Sequence, residues 1–341
     1  MRYAVLDRER SCPLDLLLLW GQGSLMTRQG TDGVATLATD VLLSGDILRV
    51  AHRGLPILRG EDATAQLAEL SANHERFRGF LNEPPHGNLL VNACLIYPSS
   101  RLGVAARHFL AFRFAFAPFA GTALMASAVV LADEGWLTGE TSSQPVLFET
   151  ANQLEEAHLF FEKGLVRSMT WVTRPPRILL PEGAIVFLGR RQVRFSLVSS
   201  RLPYVVVTDA DLGIPMDDLP RLAKAAVAFS AAVGSRWSPA SLGVAGEYAR
   251  YLIMVAHKVN ESLVRAVWIS DQGEAARSAG STGALAVLAA LRKGGGLPRG
   301  GPVSIEAPRG AFECDIVEDG ASVPATPEIV SRHELLSPPL S

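Results

Sequence analysis

Two stretches of the chain open with small and hydroxyl-bearing residues just where helices should begin. Gly121 and Thr122 open one, and Ser281, Thr282 and Gly283 open the other. The first turn of a helix leaves backbone N–H groups unpaired and carries the positive end of the helix dipole, so it can cradle a carboxylate. The same residues also suit plain helix initiation, with Thr or Ser as N-cap. Two carboxylates, Asp271 and Glu274, precede the second stretch. A carboxyl near a cleft can have a raised pKa and serve as acid or base; a solvated turn is the other reading of this pair. A thiol at such a helix opening would have a lowered pKa and could exchange a proton with the α-carbon of a bound amino acid. That chemistry racemises an amino acid without pyridoxal phosphate. The chain has three cysteines, Cys12, Cys94 and Cys314, and none lies at either opening. Cys94 and Cys314 sit in strand-like apolar segments and are expected to be core thiols; Cys12 is given no role.

The elements that would position these residues form a weak internal repeat. AGTALMASAVVLADEGWL (120–137) and GSTGALAVLAALRKGGGL (280–297) align without gaps, with Thr122/Thr282, Ala126/Ala286, Leu131/Leu291, Gly135/Gly295 and Leu137/Leu297 identical. Each follows an apolar strand, is apolar nearly all round, and ends at a glycine stop. Strands are expected within 35–57, 89–97, 108–116, 146–150, 157–161, 165–173, 177–180, 184–188, 193–199, 203–208, 264–270, 302–306 and 311–317. Further helices are expected at 61–81, 217–234 and 244–259. Together these imply two similar halves, each a curved sheet around one central buried helix. The divisions are an extension at 1–30, halves at 31–190 and 191–318, and a frayed tail at 319–341.

Composition agrees with a globular protein. Of 341 residues, 48% are hydrophobic and 19% charged, which excludes a largely disordered or collagen-like chain. The net charge of -2 lacks the basic footprint of a nucleic-acid binder. The apolar stretch Phe109–Ala132 is broken by Arg113, Pro118 and Gly121, so a strand and a buried helix are expected there, not a membrane span. The N-terminus lacks the pattern of a signal peptide, and three cysteines cannot build a disulfide framework. A cytoplasmic location is therefore expected, with no metal site.

Several segments resemble the proline racemase family. DILRVAHRGLPI (46–57) resembles E-P-x-R-I-V-x-G-x-P, and FRGFLNEPPHGNLLVNACLIYP (77–98) resembles R-x-x-L-x-x-E-P-R-G-H-x-D-M-x-G-A-L-L-x-P-P. VLFETANQ with GLVRSMTWVTRPP is similar to D-T-P-A-G-x-V and V-x-S-V-x-x-x-N-V-P. PYVVVTDADLGIP (203–215) is similar to F-Y-A-x-V-D-A-x-x-L-G-I, and 266–295 resembles the block around D-R-S-P-C-G-T-G-T-S-A. The resemblance covers roughly 40–317 in order. It implies an α+β, diaminopimelate-epimerase-like fold, no cofactor, a homodimer, and a cleft that binds proline, a hydroxyproline or another small carboxylate.

The departures bear on chemistry. The family's two catalytic cysteines fall on Ala120 and Gly280, which can be neither acid nor base. Weak substitutes are Asp271, Glu274, Thr122 and Ser281. The resemblance leaves Gly121, Thr122, Ser281, Thr282 and Gly283 as a substrate cradle, adds His86 from a cleft-lining loop, and puts Arg201 where the family has Gly. Arg201 would either pair with a carboxylate or fill the cleft. Two readings stand. One is a racemase, epimerase or trans-3-hydroxyproline dehydratase with an unusual site. The other is a non-catalytic relative that binds a small carboxylate or serves as an assembly subunit.

Overall fold

The computed structural model describes residues 35–88, 91–113, 115–137, 143–151, 153–187, 189, 191–244, 250–270 and 272–336. The first part of the chain runs β1 (Ala35–Leu43), β2 (Asp46–Arg53), α1 (Ala63–Asn73), α2 (Glu75–Asn82), β3 (Val91–Tyr97), β4 (Ala106–Ala111), β5 (Phe116–Ala117), α3 (Gly121–Asp133), β6 (Gln144–Glu149), β7 (Leu154–Glu162) and β8 (Leu165–Thr173). The second runs β9 (Arg177–Phe187), β10 (Arg191–Ser200), β11 (Leu202–Thr208), α4 (Asp209–Leu212), α5 (Leu219–Arg236), a 3-10 turn (Ala240–Leu242), β12 (Leu252–Lys258), β13 (Leu263–Ile269), α6 (Ser281–Lys293), β14 (Val303–Ala307) and β15 (Gly310–Val317). Two last strands follow, β16 (Gly320–Ala325) and β17 (Glu328–Leu336).

Strand pairing reveals the duplication that the helices suggest. In the first half the neighbours run β17-β1-β2-β3-β4-β6-β7-β8-β16, antiparallel except for β2–β3 and β4–β6. In the second they run β9-β10-β11-β12-β13-β14-β15, antiparallel except for β11–β12 and β13–β14. The two parallel pairings occupy equivalent places, and each second one is bridged by a central helix, α3 or α6. A link from β15 to β16 joins the halves.

The central helices also match in detail. Each is 13 residues long and lies 160 positions from its copy. Each ends in the same way: Gly135 and Gly295 have φ of 74° and 72°, and the N–H groups of Trp136 and Gly296 return to the carbonyls of Leu131 and Leu291, both at 2.8 Å. That is the left-handed glycine cap expected of a helix stop. Residues 121–131 of α3 and 281–290 of α6 are all buried. Each large apolar side chain so buried contributes about 1.5–3 kcal/mol.

The structure differs from the sequence expectation at several places. The helix expected over 61–81 is two helices broken at His74. The helix expected over 244–259 includes the strand β12, whose apolar run is buried on both faces and carries no alternation that would mark it as β. The tail expected to fray from residue 319 contains β16 and β17, which rejoin the first half's sheet beside β8 and β1. In addition, β9 pairs with β10, so the second sheet begins at Arg177. None of the described helices is long and apolar enough to cross a membrane.

Candidate functional site

The openings of α3 and α6 meet. The Ser281 N–H donates to Thr122 Oγ1 at 3.3 Å, so a side chain of one helix satisfies a first-turn donor of the other. The approach is close because residue 121 is glycine. A Cβ there would lie 2.3 Å from Ser281 Oγ and 2.8 Å from the Trp171 ring. Thr282 Oγ1 hydrogen-bonds the Tyr204 hydroxyl at 2.7 Å. Ser281 Oγ is buried and has no hydrogen-bond partner among the described residues. Gly283 packs on Met254, whose sulfur would lie 2.9 Å from a Cβ at that position.

A cavity of about 70 Å³ lies where the helices converge, enough for several waters. Its polar lining comprises Asp46, Asn92, Thr122, Tyr204, Ser278 and Thr282, and the two N-cap residues Ala120 and Gly280 also face it. Among the described residues, no cysteine lines it. Asp46, the first residue of β2, is the group there that titrates near neutrality. Burial pushes its carboxyl up to about 6, against the opposing pull of a hydrogen bond from Ser278 and the charge of Arg277. Ser278 Oγ in turn accepts the Gly280 N–H at 3.0 Å. The carboxyl therefore connects through one hydroxyl to the cap of α6. Sequence reasoning passed over Asp46. The available signal was its alignment with the acidic first residue of E-P-x-R-I-V.

The two caps have different backbones. Ala120 is extended, with φ -146° and ψ 130°. Gly280 has φ 63° and ψ 148°, a region that only glycine occupies without strain, although no atom lies within 4 Å of a Cβ built there.

The other candidates lie elsewhere. Glu274 is half-exposed and pairs with Arg113 at 3.2 Å, and it lines neither cavity. His86 packs edge-on against Phe80 at 4.7 Å, and its carbonyl accepts from Arg49; it also lines neither cavity. Asp271 and Cys12 lie outside the described residues. Cys94 is fully buried, its thiol pushed up to about 12, and it touches Ser127 at 3.7 Å, which in turn bonds His108 at 3.1 Å. Burial holds His108 down to about 3. This Cys–Ser–His trio is thus neutral and solvent-free, part of the packing around α3. Cys314 is likewise buried, its pKa raised by desolvation.

Arg201 lines a second cavity of about 410 Å³. It has a left-handed backbone (φ 64°) and donates to Gln153 at 2.9 Å and Thr173 at 2.7 Å. It also pairs with buried Glu155 at 3.2 Å. Glu155 accepts from the Trp171 indole at 3.2 Å, and the Trp171 ring packs against Phe119 at 5.3 Å, tilted by 42°. Arg201 and Phe119 thus sit on the wall between the halves. Among the described residues no group of three His, Cys, Asp or Glu side chains is placed to hold a metal.

Comparison with known proteins agrees with this architecture. The chain is similar to a hydroxyproline epimerase from Agrobacterium vitis with bound trans-4-hydroxy-L-proline, at TM-score 0.76 and 20% identity, covering 89% of this chain and 93% of that one. A probable proline racemase from Agrobacterium radiobacter K84 with bound carbonate gives TM-score 0.77 and 19% identity, covering 89% and 94%. A methylitaconate-delta-isomerase is more distant, at TM-score 0.58 and 12% identity over 90% and 96%. A curated protein from Marinobacter nauticus is 24% identical over 196 residues, which is 57% of this chain. That match spans 56% of the relative's own length, little more than half. The model of the proline racemase family matches residues 39–333. The chain, with its duplicated sheets and converging helix openings, belongs to the proline racemase family.

Proposed function

We propose that this chain transfers a proton at the α-carbon of a small carboxylic acid, without pyridoxal phosphate, and that Asp46 is the acid/base group. The first substrates to test are proline and the hydroxyprolines. The observation that carries this reading is the placement of Asp46, with its raised pKa, in the cavity at the two helix openings. First-turn N–H groups of α3 and α6 would hold the substrate carboxylate. Ionised Asp46 would then take the α-proton, a general-base role suited to a carboxyl titrating near working pH. Racemisation needs a second group on the opposite face to return a proton. Elimination can run on one acid/base group: the α-proton goes to Asp46, the C–O bond to a 3-hydroxyl breaks, and Asp46 returns the proton to the departing hydroxide, which leaves as water. The hydroxyl of Tyr204, the other titratable residue of the lining, is engaged with Thr282 at 2.7 Å. The site therefore favours a dehydratase of the trans-3-hydroxyproline type over a racemase or epimerase. The positions onto which the family's cysteines fall, Ala120 and Gly280, serve as caps and leave space.

A second reading has its own support. Thr122 already takes the Ser281 N–H, and Trp171 fills the space beside Gly121. A site so occupied could bind a small carboxylate without turnover, or serve assembly as a homodimer subunit.

Proton NMR in D₂O with L-proline, trans-4-hydroxy-L-proline and trans-3-hydroxy-L-proline decides between them. Loss of the 3-hydroxy substrate, or deuterium entering at the α-carbon, is expected. The rate should rise as pH passes about 6 and then level, and fall at least a hundredfold in Asp46→Asn. No reaction over a day at high enzyme concentration leaves the binding reading.

A further inference from the structure

The 410 Å³ cavity falls in the size range of small-molecule sites and has an unbalanced charge. Three guanidinium groups line it, those of Arg174, Arg177 and Arg201, against the single carboxylate of Glu155. That carboxylate is already engaged by Arg201 and the Trp171 indole. Arg177 gives one N–H to the Gly243 carbonyl at 3.1 Å, a neutral partner. Arg174 has no ion-pair partner among the described residues, and its charge disfavours the protonated form of Arg201. Like charges held together in a concave site attract an anion, which relieves their repulsion. Pro175 and Pro176, between Arg174 and Arg177, stiffen the backbone that carries them.

The cavity also adjoins the smaller one. Leu202 lines both, and Phe119 of the larger precedes Ala120 of the smaller. We propose that the larger cavity binds the anionic end of an extended organic acid, a dicarboxylate, whose other carboxylate reaches past Leu202 to the helix openings. The second half of this statement rests on the function proposed above; the anion site itself does not.

The test is isothermal titration of the full chain at low ionic strength with glutarate, inorganic phosphate and L-proline as probes. Arg174→Gln/Arg177→Gln is the variant; both side chains are exposed, and circular dichroism checks its fold. Glutarate should bind more tightly than phosphate or proline, and the variant should weaken glutarate at least tenfold while leaving proline unchanged. Phosphate binding as tightly as glutarate would assign the site to a free inorganic anion and overturn the dicarboxylate. Absence of glutarate binding, or binding indifferent to the arginines, would overturn the anion site altogether. The α-proton exchange of proline reads the smaller cavity alone. Its failure with glutarate binding intact would count against the proposed function and not against this site.

Discussion

The openings of α3 and α6 are the same element twice, built to opposite ends. At α3 the cap is an ordinary extended residue, and the space in front of Gly121 is filled by the Trp171 ring and Ser281 Oγ. At α6 the cap Gly280 has a backbone that excludes side chains, and the space in front of it is empty. Sterics thus protect one opening and backbone geometry the other. Duplication fixes where two helices point; it does not fix what each presents. In this chain one half supplies bulk and the other supplies room, with Asp46 at the edge of that room.

The comparison can be broken most strongly at Trp171, which is fully buried. Trp171→Ala should lower stability by about 3–5 kcal/mol, measured by urea unfolding, through lost burial and the cavity left behind. A loss below about 1 kcal/mol would mean that the ring does not support the α3 opening. Next are the two glycines. Gly121→Ala and Gly280→Ala should each destabilise by about 1–3 kcal/mol, one by overpacking and one by backbone strain. The causes separate in double variants. Ser281→Ala removes the hydroxyl that a Cβ at 121 would strike, so it should recover part of the Gly121→Ala loss and none of the Gly280→Ala loss. Equal coupling to both would erase the distinction.

The last effect is a pH-dependent one at Asp46. Its folded pKa of about 6 lies above the about 3.9 of an unfolded chain, so the native state holds the proton more tightly. Its burdening of the fold is therefore absent below about pH 4 and grows as pH rises to about 6. Asp46→Asn should be the more stable protein above pH 6, with the gap closing toward pH 4. His52, buried and held down to about 4, runs in the other direction and cancels between parent and variant. A gap that does not change with pH would show that Asp46 is not desolvated.

The central helices were legible in the sequence because their signals are local: an all-round apolar run, and Gly135 and Gly295 at its end. β12 was not, because Ile253, Met254, Val255 and Ala256 are all buried and such a run has no strand period. β17 was missed for the opposite reason. EIVSRHELL is mostly outside the core, and only its pairing with β1, from Ala35↔Leu336 to Leu42↔Glu328, makes it a strand. Asp46 is similar. Its type and its place after the Ser44–Gly45 turn are ordinary, and its pKa is set by burial beside Arg277 and Ser278, far along the chain. The cradle residues were legible as helix openings. That Thr122 would spend its hydroxyl on the neighbouring helix was not, since the contact joins positions 159 apart.

The return of β17 to β1 also bears on how the chain comes to be folded. Of the described strands, the first in chain order, β1, pairs with the last, β17, and Asp40 on β1 hydrogen-bonds the His333 imidazole at 2.9 Å in that pairing. The half whose strands begin first is therefore completed last: its outer pairing and this half-buried contact wait until β17 has been made. The half containing α6 can close its own sheet earlier, from β9 to β15. Vectorial synthesis thus inverts the order of the two halves, leaving the β1–β2 hairpin with one open edge until β17 has been made.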